Sequence, residues 1–77
     1  MPAAPLKEWI LDALAANSGE AHLVIIAKHI WKNHRADLER DEVLFYTWQY
    51  KMRWAAQVLQ KDGKIEKLGK TGVWRAT

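Results

Sequence analysis

From Asp41 to Lys61 the sequence keeps a single helical period, with no proline or glycine to interrupt it, and in a chain of 77 residues that run sets the scale of everything else. At about 100° per residue, Leu44, Trp48, Met52, Ala55 and Leu59 cluster on one narrow face, flanked by Phe45 and Val58. Asp41 is a good N-cap residue and Asp62-Gly63 a stop signal, so a helix is expected over 42–61. A helix of that size is about 30 Å long, the diameter of a small domain. The other segments must therefore pack along it and share its core. A chain this short has room for one domain, 1–77.

Two shorter helices precede it. Met1 to Pro5 reads as a loose end, with Pro5 suited to the first turn of a helix running to about Ala16. Within that helix Leu6, Trp9, Ile10, Ala13 and Leu14 recur at spacings of three and four. Asn17-Ser18-Gly19 stops it. Glu20 to Leu23 is too short for periodicity to assign, and is compatible with an extended segment. A second helix fits Val24 to His34, burying Ile26, Ala27, Ile30 and Trp31 and exposing Lys28, Lys32 and Asn33. Arg35 to Asp41 is a polar connection with room for a helical turn around Leu38. After Gly63, Lys64 to Leu68 alternates polar and apolar, Gly69-Lys70-Thr71-Gly72 is a turn cluster, and Val73 to Ala76 returns as a second strand. Ile65 and Trp74 are expected to cover the helices. The expected class is α+β: a small winged helix-turn-helix, three helices followed by a C-terminal two-stranded β-hairpin wing over 64–76.

Without a cysteine, and with only three histidines, the chain has neither disulfide nor an obvious structural metal to staple it. Five tryptophans supply the alternative, each able to bury roughly 150–250 Å². The absence of cysteine and the lack of a signal-peptide pattern at the N-terminus lead to the expectation of a cytoplasmic protein. No apolar stretch approaches the roughly 20 residues that cross a bilayer.

The formal charge of +3 is unevenly distributed. Residues 1–46 hold five Lys or Arg against seven Asp or Glu, and residues 47–77 hold seven against two, so the halves carry −2 and +5. A clustered positive field attracts phosphate backbones and releases their counterions.

Three stretches, Trp48-Gln49-Tyr50-Lys51-Met52-Arg53-Trp54-Ala55 through Leu59, Asp62-Gly63-Lys64-Ile65-Glu66-Lys67, and Gly72-Val73-Trp74-Arg75-Ala76-Thr77, resemble the N-terminal winged-helix domain of Mrr-type restriction endonucleases. The resemblance covers roughly the last thirty residues. It rests on packing and turn residues, so it implies a fold first and DNA contact by analogy. The chain has no nuclease domain, so the cleavage activity of that family does not carry over; a targeting or docking module is implied.

In winged-helix docking the third helix enters the major groove while the wing rides the backbone or reaches the minor groove. Arg53 suits a guanine edge and Gln57 an adenine or a phosphate. Tyr46 and Tyr50 suit backbone or sugar; Lys61, Lys64, Lys67, Lys70 and Arg75 suit phosphates, and Thr71 adds a neutral hydrogen bond at the tip. Lys51 is expected nearer the core edge. Trp31 and Trp54 are the tryptophans most open to exposure, and an exposed pair would mark a protein-binding patch.

No catalytic constellation is present, so an enzyme is not expected, and no cofactor is implied. His22, His29 and His34 lack the spacing of a helical metal pair, and Asp37, Glu39, Asp41 and Glu42 lack the pattern of a calcium loop. Two functions from different classes stand: a module for double-stranded DNA, as a monomer or as a homodimer across two half-sites, or a protein-interaction module docking a partner subunit.

Overall fold

A computed structural model describes residues 5–77, so the expected loose end over 1–5 lies, apart from Pro5, outside the described residues. The elements follow the order α1 Leu6–Ala16, β1 Glu20–His22, α2 Leu23–Arg40, α3 Glu42–Lys61, β2 Ile65–Lys67 and β3 Val73–Ala76. The protein is a small α+β fold of three helices and one antiparallel sheet, with strand order β1-β3-β2.

The helix α3 starts where the Asp41 carboxylate accepts the Leu44 amide at 3.2 Å, and spans twenty residues. Its length of about 30 Å matches the longest dimension of the molecule, 32 Å. Leu44, Trp48, Met52, Ala56 and Leu59 are buried on it. The expectation for Ala55 is corrected: Ala55 is half-buried and its neighbour Ala56 fully buried. The reason is geometric. Both α1 and α2 pack on α3, so the buried arc is wider than a single narrow stripe and extends past its centre to position 56.

In α1, Leu6, Trp9, Ile10, Ala13 and Leu14 are all buried, as their spacing requires. Pro5 sits just before the helix, its carbonyl accepting the Trp9 amide at 3.1 Å. At the start of α2, His22 is the cap: its Nδ1 accepts the Val24 amide at 3.1 Å. The helical period expected to end at His34 does break there (φ −128°, ψ 19°), but the chain resumes helix to Arg40. That second stretch drives Leu38 fully into the core, and the break lays the His34 ring flat on Trp9, centroids 4.0 Å apart and 9° from parallel. Ile10, Leu14, Ile26, Ile30, Leu38 and Met52 are all fully enclosed, each contributing on the order of 2 kcal/mol by burial.

In place of the expected two-stranded hairpin, β3 pairs antiparallel with both β2 and β1, making the sheet three-stranded. The alternation along each strand turns Ala21, Trp74 and Ile65 inward onto the helices. It leaves Glu20, Arg75 and Glu66 outward in one cross-strand row. The turn before β3 is tied to the helices as well, since the Leu23 amide donates to the Gly72 carbonyl at 2.8 Å. Among the described residues no helix is long and apolar enough to cross a membrane.

Candidate nucleic-acid interface

The ten side chains singled out from the sequence lie at the surface, with Lys67 partly covered. They do not form one uniform polar face. Around α3 they divide between a flank that meets the start of α2 and a crest that points directly away from the core.

The flank is built by α2 and α3 together. Lys28 and Arg53, with Gln49, stand at the rim of a groove of about 600 Å³ whose floor is Leu23, Ala27, Trp31, Phe45, Trp48 and Met52. Trp31 is held there by rings on both sides, 6.4 Å from Trp48 and 6.0 Å from Phe45, with the Arg35 guanidinium 5.2 Å from its centroid. Because Leu23 bonds to Gly72, the turn that carries Lys70 and Thr71 adjoins the same end of α2 that lines the groove beside Arg53. Thr71 itself is engaged locally: its hydroxyl donates to the Leu68 carbonyl at 2.6 Å and accepts the Val73 amide at 3.1 Å, which stiffens the turn. Lys64 lies between the Gly63 turn and β2, its amide donating to the Leu59 carbonyl at 2.8 Å.

The crest is apolar. Val43, Tyr46, Tyr50 and Trp54 follow one another at spacings of three, four and four, and are 64%, 76%, 65% and 54% exposed. Tyr50 and Trp54 touch edge to face at 6.4 Å, and Tyr46 meets Phe45 at 5.0 Å. Gln57 and Lys61 continue the line past Trp54 and share a shallow depression with it. Tyr50 thus sits with Trp54, and Gln57 and Lys61 share its depression, while Arg53 lies one turn from both Tyr50 and Gln57 and borders the groove on its other side. Trp54, expected at the edge of this face, is exposed and is the most covered of the four crest residues, whereas Trp31 is half-buried in the groove. The signal was available in the spacing of Val43, Tyr46, Tyr50 and Trp54, which repeats the period of the buried face on the opposite side. Lys51, expected near the core edge, is exposed.

Charge separates the same regions. Among the described residues the ion pairs are Arg35–Glu39 at 2.7 Å, Arg40–Asp37 at 3.7 Å, His34–Asp37 at 3.9 Å and Arg75–Glu66 at 2.5 Å. Three of these four lie in the second stretch of α2, where they answer the acidic residues of that segment. In residues 47–77 only Arg75 is paired; Lys51, Arg53, Lys61, Lys64, Lys67 and Lys70 have no carboxylate partner among the described residues. Arg75 stands between Glu20 and Glu66 in the outward row of the sheet, so that face is not cationic. Lys67 lies with its Nζ 5.5 Å from the Trp74 centroid. Unpaired cations therefore lie on α3, the Gly63 turn and the turn before β3, with Lys28 and Lys32 on α2 and Lys7 on α1 also unpaired among the described residues.

Nothing in the described residues gathers three potential metal ligands. No protein-family model, curated protein or solved structure matches the chain. Fold and surface alone define its class: a small α+β domain with three helices, a three-stranded antiparallel sheet and an exposed aromatic ridge on its longest helix.

Proposed function

We propose that this chain is a winged-helix module that binds double-stranded DNA. In this reading α2 and α3 form the helix-turn-helix, with the short helical stretch after His34 as part of the turn, and β2 and β3 form the wing. The element order helix, strand, helix, helix, strand, strand, with β1 joined to β3, supports it. So does the resemblance of the last thirty or so residues to Mrr-type N-terminal domains, at the level of fold.

The observation that carries the reading is the set of six cations without carboxylate partners in residues 47–77, because a positive cluster left unanswered within the molecule is the footprint of a phosphate partner. The helix α3 meets the major groove along its Arg53 flank. Arg53 addresses base edges, Lys28 at the groove rim and Lys64 at the Gly63 turn neutralise phosphates, and Lys70 carries the wing tip to the backbone. Arg75 contributes little, since Glu66 already holds its guanidinium.

Titration of a random duplex at two salt concentrations tests this directly. With about four phosphate contacts, affinity should fall on the order of a hundredfold between about 50 and 200 mM salt. Arg53→Ala combined with Lys70→Ala should weaken binding further while leaving the domain folded. Absence of binding at low salt removes the reading.

A second reading is favoured by a different observation. Tyr and Trp are the side chains that dominate protein interfaces, and three of them stand exposed in a row on α3. A protein-docking role for the rings of that crest is compatible with DNA contact along the flank, because Tyr46, Tyr50 and Trp54 are distinct from Arg53, Lys28, Lys64 and Lys70.

A further inference from the structure

We infer that the crest of α3 is the interface of a twofold homodimer, in which α3 packs antiparallel against α3 of a second copy of this chain. This rests on the docking reading and not on the DNA reading. Along the crest, Tyr46 to Trp54 covers about 12 Å of helix, and Val43 and Lys61 extend the line at either end. The four apolar side chains leave on the order of 500 Å² exposed, near the upper end of what a monomer carries in one patch. A standard interface takes about 800 Å² per partner, and the adjoining Thr47, Gln57 and Lys61 supply the remainder.

Charge selects the occupant and its direction. The helix begins with Glu42 and ends with Lys61, and neither has an ion-pair partner among the described residues. Asp41 adds to the acidic end, Glu39 being already paired with Arg35, and Lys64 adds to the basic end beside Asp62. A parallel pair would oppose acid to acid and base to base. An antiparallel pair opposes the acidic end of each helix to the basic end of the other and sets their dipoles head to tail. Such a surface is complementary to itself, as a twofold interface must be. With Glu42 level with the second copy's Lys61, Tyr50 of each helix comes level with the region of Trp54 on the other, so the largest rings meet at the centre. Single-stranded nucleic acid is the competing occupant, since bases stack on exposed rings. The acidic end beside Val43 and Tyr46 repels its phosphates over half of the crest, which favours the second copy.

Sedimentation of the full chain without nucleic acid is the test. The wild type should associate to a dimer in the micromolar range. Tyr50→Ser and Trp54→Ser should each weaken association at least roughly thirtyfold, the effect of losing a central aromatic anchor. Glu42→Lys and Lys61→Glu should each weaken it a few-fold, and the two together should restore it, because the exchanged ends remain opposite in sign. Thermal melts of each variant identify any that fail to fold, and the charge variants carry the test if a serine variant does. A monomer at high micromolar concentration overturns the inference. So does a dimer indifferent to Tyr50 and Trp54, a charge exchange whose losses add, or a monomer whose tryptophan emission is quenched by oligothymidine through Trp54. Duplex affinity is measured separately, so loss of DNA binding leaves the dimer result standing.

Discussion

Replacing Gly72 by alanine should cost more than replacing Gly69, although both lie in the same hairpin turn and both have a left-handed backbone, φ +79° and +60°. An L side chain in that region carries roughly 1–2 kcal/mol of strain, and a stiffer unfolded chain returns about 0.4–1 kcal/mol of it. That net cost of about 1 kcal/mol is all that Gly69→Ala should show, because a methyl at position 69 meets no atom within 4 Å. At position 72 the methyl would stand 2.7 Å from Nε2 of His22, with two further ring atoms at 3.2 and 3.3 Å. A free side chain would swing aside at little cost. His22 is not free, since Nδ1 of the same ring accepts the Val24 amide at 3.1 Å and so caps α2. Moving the ring sacrifices the cap, worth about 1 kcal/mol. Gly72→Ala is therefore expected to cost about 2 kcal/mol in total, twice the Gly69→Ala value.

The two variants should differ by about 4–8 °C in melting temperature, which far-UV circular dichroism resolves easily at this chain length. The decisive step is to repeat the pair in a His22→Ala background. There the cap is already gone and the ring cannot clash, so the two glycine variants should cost the same, giving a coupling of about 1 kcal/mol between positions 22 and 72. If Gly72→Ala costs no more than Gly69→Ala, or if the gap persists without His22, the link between the hairpin turn and the α2 cap is wrong.

Two further outcomes follow from the packing and the charges. Leu38→Ala should destabilise the domain by about 2–5 kcal/mol in urea unfolding, because a fully enclosed side chain is removed from a segment that composition alone marks as a polar connection; a loss under about 1 kcal/mol would mean that segment is not part of the core. Arg75→Ala should change stability by less than about 1 kcal/mol, since the pair with Glu66 is half-exposed on both sides, and should leave duplex affinity unaltered where Arg53→Ala lowers it.

How far the fold was legible depends on how much of each element's environment is local. The three helices were legible because each buries a face at the period of its own backbone, and the stops at Gly19 and Gly63 are chemical. Position 55 misled because the width of a buried arc depends on how many neighbours pack there, and α3 has helices on two sides. The strand β1 was legible only as a possibility, since three residues show no period; it exists because the free edge of β3 offers Glu20, Ala21 and His22 a register. The stretch after His34 looked like a loop with one apolar residue, and long-range burial of Leu38 keeps it helical. For the candidate site, the separate cations were visible in the sequence, but the pairing of Arg75 with Glu66 requires knowing that β2 and β3 align them. The division between flank and crest needs the position of α2, which no local pattern supplies.

The crest also answers why α3 has apolar residues on two opposite faces when a surface helix needs only one. Val43, Tyr46, Tyr50 and Trp54 touch little of the domain, their ring contacts being with each other and with Phe45. Tyr50 is 65% exposed, so Tyr50→Ser should shift unfolding free energy by no more than about 0.5 kcal/mol, as for an ordinary surface substitution. A residue that weakens association strongly and stability hardly at all is a partner-facing residue, whereas Leu38 should show the reverse. If Tyr50→Ser instead lowers stability as much as a core truncation does, the rings belong to the fold after all, and the need for a partner on that side of α3 disappears.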